Sequence, residues 1–198
     1  MLKDLIGTIF GKKDPMYRYI YYHSFKRFIL TYLLFALGLA IIKILDAITL
    51  VRAEPSIDAT AFYLISLGTI LTTLASLGIL ISVISILIFI AAKILRKKTN
   101  FAQLFFAMHS ILPFFLIIKL MFTLAIFFAN ITILSIAFHW LVLASTIYFL
   151  FIIAKTSSYF TTLSLLQSII IVLLITAGFA ATLYGTYLYF TNLITNLT

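Results

Sequence analysis

The sequence predicts an all-α, polytopic membrane helical bundle of five transmembrane helices, preceded by an interfacial amphipathic helix. Three observations predict it. The 198 residues are 64% hydrophobic and only 10% charged, too little charge to cover a soluble domain. The apolar residues fall into five runs, each long enough to cross a bilayer core about 30 Å thick. The basic residues gather on one side of those runs. The runs occupy 28–51, 59–92, 105–129, 131–154 and 163–190. Lipid offers the backbone no hydrogen-bond partner, so each run is read as a helix. None alternates polar and apolar residues as a barrel strand would.

Residues 1–27 form a separate cytoplasmic segment. Leu2, Leu5, Ile6, Ile9 and Phe10 recur at helical spacing among Lys3, Asp4, Lys12 and Lys13. This predicts a helix lying in the membrane interface, apolar face down. Pro15 ends it. Tyr17, Tyr19, Tyr21, Tyr22 and Phe25 then interleave with Arg18, His23, Lys26 and Arg27. An aromatic and basic cluster beside a span anchors it at headgroup level; a partner-binding surface is the sharper reading. The first span is too long for a signal h-region and has no small-residue cleavage site, so no cleaved signal is expected.

Charge orients the bundle. Lys3, Lys12, Lys13, Arg18, Lys26 and Arg27 precede span one, Lys93, Arg96, Lys97 and Lys98 follow span two, and Lys155 follows span four. The opposite side holds Arg52 with Glu54 and Asp58. The positive-inside rule puts the N-terminus in the cytoplasm and the C-terminus outside the cell or in a lumen. The net charge of +9 is therefore a topology signal and an attraction for anionic headgroups at the cytoplasmic face. No nucleic-acid-binding motif accompanies it, and no nucleic-acid partner is expected.

Span two exceeds one perpendicular crossing and is read as one long tilted helix; a break near Gly78 is the alternative. Gly68, Thr72 and Ser76 lie four apart on it, a spacing that lets helices approach closely. Ala177, Ala181 and Gly185 repeat the pattern in span five, alongside Gly178, Thr182 and Thr186. Span five is packed on two sides, or packed once and available for self-association. Pro113 removes a backbone donor and kinks span three. Spans three and four form a hairpin around Asn130. Five spans do not divide into two inverted halves, which argues against a two-repeat transporter.

Ionisable residues inside spans are costly and are functional candidates. They are Lys43 and Asp46 in span one, His109 and Lys119 in span three, and His139 in span four. Lys43 and Asp46 are three apart on one helix face and can neutralise each other. Lys119 has no carboxylate on its own helix. Counted from the outer ends, Asp46 and Lys119 differ by about 7 Å of helix rise, within reach of a lysine. A structural Asp46–Lys119 or Lys43–Asp46 pair and an ion or substrate site are both open.

His109 and His139 sit on the order of 15–20 Å apart along the membrane normal, too far to share a metal or a haem. His139 with Trp140 reads as an interfacial or packed pair. The chain has no cysteine, which removes disulfides, thiolate zinc sites and iron–sulfur clusters. One intramembrane carboxylate cannot make an aspartyl-protease pair. There is no nucleophile elbow, phosphate-binding loop or zinc-protease motif. No enzyme activity and no cofactor are expected. Two glycosylation sequons, at Asn130 and Asn196, fall in a tight turn and at the end of the sequence; neither is expected to be modified.

The stretch 101–119 reads FAQLFFAMHSILPFFLIIK. It resembles the Yip-domain superfamily in its basic loop, F-x-Q opening and following span, with Ala107, Ser110 and Pro113 carrying the likeness and His109 standing where the family has an aromatic residue. HWLVLASTIYFLFIIAK, at 139–155, is similar to that superfamily's fourth span. The likeness covers spans three and four, and the rest by architecture. It implies a non-enzymatic integral membrane protein that organises membranes or recruits a partner, Rab-type GTPases in the eukaryotic relatives. An accessory subunit of a larger complex, or a permease-like transporter using Lys119 and Asp46, are the other readings.

Overall fold

From Ser24 onward the described residues form six helices and a short 3-10 turn: α1 (Ser24–Ala53), α2 (Ala59–Ile94), α3 (Phe101–Ser110), the turn Leu112–Phe114, α4 (Phe115–Phe127), α5 (Thr132–Thr161) and α6 (Leu165–Thr195). The structure is a computed structural model that describes residues 6, 7, 10, 12–14, 17, 18, 24–53 and 59–195, with the side chains of 24–27, 47–53, 59–63 and 189–195 not described. The expectations for Leu2, Leu5, Ile9, Pro15, Tyr19, Tyr21, Tyr22, His23, Glu54, Asp58 and Asn196 lie outside the described residues, as do those for the side chains of Phe25, Lys26, Arg27 and Arg52. Five helical stretches are long and apolar enough to cross a membrane: Phe28–Asp46, Leu64–Ile94, Phe101–Phe127, Thr132–Thr161 and Leu165–Leu188. Among the described residues there is no strand. The helices run alternately, giving the bundle a basic end, which carries the loop after α2, and a far end, which carries the turn around Asn130.

α2 is continuous through Gly78. Without a proline, nothing removes its backbone donors there. Span three is interrupted rather than only bent. Pro113 has no N–H, and the chain tightens at that point: Ile111 N–H donates to Met108 O and Phe114 N–H to Ile111 O. α4 then restarts at Phe115. The span begins four residues before hydropathy places it, because the Asn100 side chain accepts the Gln103 N–H and caps α3.

Two tight turns close the basic end. α2 finishes with Arg96 at φ 55° and Lys97 N–H donating to Ala92 O at 2.8 Å, a Schellman closure. α5 finishes with Thr162 at φ 53°, a conformation that strains a β-branched residue. Ser164 and Gln167 then cap α6 reciprocally: Ser164 N–H donates to Gln167 Oε1 and Gln167 N–H to Ser164 Oγ. Thr162 Oγ1 donates to Lys98 O at 3.3 Å and ties the two turns together.

The core lies toward the basic end. α1 contributes Phe35, Leu39 and Ile42, α2 Ile81, Ile84, Ile88 and Ala92, and α3 Leu104, Ala107 and Met108. Ile111, Leu112 and Phe114 at the Pro113 break, Ile152, Ile153, Ala154 and Phe160 of α5, and Val172 of α6 join it. Toward the far end the packing thins. Only 11% of the α5 window and 11% of the α6 window are buried, and their outer side chains are exposed.

That distribution leaves the two small-residue stripes on the outside of the bundle. Gly68, Thr72 and Ser76 are exposed, as are Ala177, Ala181 and Gly185, and a Cβ placed on Gly68, Gly178 or Gly185 meets nothing within 4 Å. Neither stripe mediates packing within the chain. Small residues permit close approach but supply no partner, and the larger side chains of the neighbouring α2 face, Ile81, Ile84 and Ile88, gain more contact by burial. The close approaches occur elsewhere. A Cβ on Gly38 would clash with Leu116, and one on Gly78 would lie 3.0 Å from the Tyr32 hydroxyl.

Candidate functional site

Asp46 sits one helical turn beyond Lys43 on α1, so both point to the same side. The Asp46 carboxylate lies between three groups. Lys43 Nζ is 3.1 Å from Oδ2, Lys119 Nζ of α4 is 3.8 Å from the same oxygen, and the Thr123 hydroxyl donates to Oδ1 at 2.9 Å. Thr123 is buried. Lys119 also lies 5.4 Å from the Phe122 ring centroid, a cation–π contact. Both expected pairings, Lys43–Asp46 and Asp46–Lys119, form on the one carboxylate. Thr123 was the part that sequence reasoning missed. Its signal is its position four residues after Lys119, where a helix stacks side chains on one face.

Beside this cluster is a cleft of about 190 Å³ between α1, α2 and α4. Its polar wall is Lys43, Lys119, Thr69 and Thr73; its apolar wall is Leu39, Ile42, Ile70 and Phe115. Lys43 and Lys119 keep 22% and 28% of their side-chain surface exposed, so the cleft is open. The cluster holds two ammonium groups and one carboxylate. That arrangement can tie α1 to α4 and can hold an anion.

His109 is in a different place and plays a different part. It is buried at the basic side of the Pro113 break, with its ring 4.1 Å from that of Phe105, 5.5 Å from Phe28 and 6.1 Å from Tyr32. Nδ1 lies 2.8 Å from Phe105 O. A carbonyl only accepts, so Nδ1 carries the proton. Nε2 lies 3.2 Å from Ser82 Oγ of α2, whose hydroxyl donates to Gly78 O at 2.7 Å. His109 therefore latches α3 to α2. His139 is exposed, with Nδ1 donating to Ser135 O, and Trp140 beside it is exposed too; the pair is not packed within the chain. Among the described residues no three His, Asp or Glu side chains converge.

The N-terminal segment meets protein where it is described. The Phe10 ring stands edge-on to Phe114 at 5.9 Å, in the Pro113 break. The Tyr17 hydroxyl donates to Tyr159 O at 2.6 Å, and the Tyr17 ring lies 4.8 Å from that of Phe160. Lys13 Nζ is 5.7 Å from the Tyr159 ring centroid. Burial, and the Tyr159 hydroxyl second, raise the Tyr17 pKa above its ordinary value of 10.0. The segment thus docks on the basic end of α5, with Phe10 directed at the bundle. No family model, curated protein or solved structure matches this chain.

Proposed function

We propose that this chain is a non-enzymatic, five-span membrane protein that organises the membrane or recruits a protein partner, in the manner implied by its resemblance to the Yip-domain superfamily. In this reading the N-terminus and the basic loop face the cytoplasm, and the C-terminus faces outside the cell or a lumen. One observation carries the proposal. Asp46 is the only acidic residue within the five spans, and both its oxygens are engaged by Lys43, Lys119 and Thr123. It serves as a tie between α1 and α4 rather than as an unengaged reacting group. The thinly buried α5 and α6, with the Ala177–Gly185 stripe exposed, leave lipid-facing surface for a partner or a second copy, as an accessory subunit would.

A second reading, a permease using Lys119 and Asp46, is favoured by the cleft beside them. The two separate on one experiment. Complexes formed in native membranes and anion flux into proteoliposomes are compared for the wild type and for D46N/K119M. Scaffolding predicts the same complexes in both and no flux in either. Flux in the wild type that disappears in a stable double variant would replace scaffolding with transport.

A further inference from the structure

We propose that the cleft between α1, α2 and α4 seats the phosphate of one anionic lipid, drawn from the leaflet at the far end, between Lys43 and Lys119. The argument starts from charge. Two ammonium groups share one carboxylate, and that carboxylate has already spent both oxygens within the chain. One positive charge is left over at the membrane edge of the cleft, where an uncompensated charge is costly. A monoanion beside the two lysines offsets it.

The walls specify what kind of anion. Thr69 and Thr73 line the cleft, but their hydroxyl protons are donated back to Ile65 O and Thr69 O, each at 2.7 Å. Toward the cleft they present lone pairs, so the lysines alone attract the ligand. Ammonium groups bind a phosphodiester as point charges, without fixing its orientation. The opposite wall is aliphatic and aromatic, fit for the glycerol and upper acyl chains. The site is shallow enough to be reached: Lys119 is eight residues from the end of α4 at Phe127, about 12 Å of rise. A lysine side chain covers roughly half of that by snorkelling. The adjoining face of α2, at Gly68 and Thr72, is exposed and leaves the acyl chains a lateral way in.

The test uses the full-length protein in nanodiscs of equal phosphatidylcholine and phosphatidylglycerol, released for native mass spectrometry. Wild type is expected to retain one phosphatidylglycerol in preference to phosphatidylcholine. K43M and K119M should each lower that preference about five-fold, the effect of one lysine near a charged headgroup, whereas K119R retains it. D46N removes the competing carboxylate and should raise the preference, a gain that mere misfolding does not produce. K97Q/K98Q, on the basic loop, should leave it unchanged. Equal retention of the two lipids by wild type overturns the proposal. So does a preference that falls in K97Q/K98Q but not in K119M. Displacement of the lipid by excess inorganic phosphate would make this a free-anion site and equally overturn the lipid assignment.

Discussion

Removing Asp46 should harm this protein more than removing Lys119, and the geometry says by how much. At an effective dielectric of about 20, the attraction of Lys43 for Asp46 across 3.1 Å is roughly 5 kcal/mol, and that of Lys119 across 3.8 Å roughly 4 kcal/mol. Desolvation offsets most of each. In K119M the carboxylate keeps Lys43 and the Thr123 hydroxyl, so the loss should be about 1 kcal/mol. In D46N both ammonium groups lose their counter-charge while remaining in the membrane, and the loss should be about 3 kcal/mol or more. D46N/K119M should recover part of the D46N loss, with Lys43 still unpaired. K43M/D46N/K119M should come close to wild type, because apolar replacements of a whole ionic cluster are often neutral. Thermal unfolding midpoints in one detergent read the series, at about 2–4 °C per kcal/mol for a chain of this size. Losses that simply add across the variants would refute the shared carboxylate.

Gly38→Ala should cost about 1 kcal/mol and Gly38→Val more, because the new side chain meets Leu116; Gly68→Ala and Gly185→Ala, with nothing near them, should be neutral or slightly stabilising in the same assay. Docking of the N-terminal segment should respond to alkali through Tyr17. Its folded pKa is raised, so the stabilisation is fully present below about pH 10 and is lost as pH rises through the folded value. Limited proteolysis between residues 10 and 17 should accelerate across that window, and in Y17F, which lacks the ionisable hydroxyl, the step should vanish. Cysteines at Lys97 and Asn130 should label from opposite sides of the membrane; labelling of both from one side would refute the alternating helices.

Depth along the membrane was legible in the sequence, and direction around each helix was not. Lipid imposes length and apolarity on a span, so the five runs emerge from hydropathy, though α5 continues to Thr161, seven residues past the expected end at 154. The errors have local causes, such as Asn100 capping α3 at Phe101 and Ser164 and Gln167 capping α6. Depth counting also brought Lys119 to the level of Asp46. Direction needs a partner surface, and in lipid an apolar residue pays no penalty for facing outward. Spacing therefore marked Gly68–Thr72–Ser76 and Ala177–Ala181–Gly185 as faces for close approach or self-association without saying to what, and within the chain it is Ile81, Ile84 and Ile88 that are buried. Thr123 and Ser82 share that blindness: a hydroxyl in a span satisfies itself on its own helix, and only the fold reveals that Thr123 turns to Asp46 and Ser82 to His109.

The measurement closest to the central claim is a cross-link between α1 and α4. The chain contains no cysteine, so a G38C/L116C pair provides the only thiols, at the point where the two helices approach most closely among the described glycines. With a protease site inserted in the loop at 95–100, oxidation in native membranes should leave the two fragments joined after cleavage and free after reduction. A G68C/G185C pair should not join them. Fragments that separate under oxidation in G38C/L116C, in a protein that still inserts and folds, would contradict the α1–α4 tie on which Asp46, Lys43 and Lys119 depend.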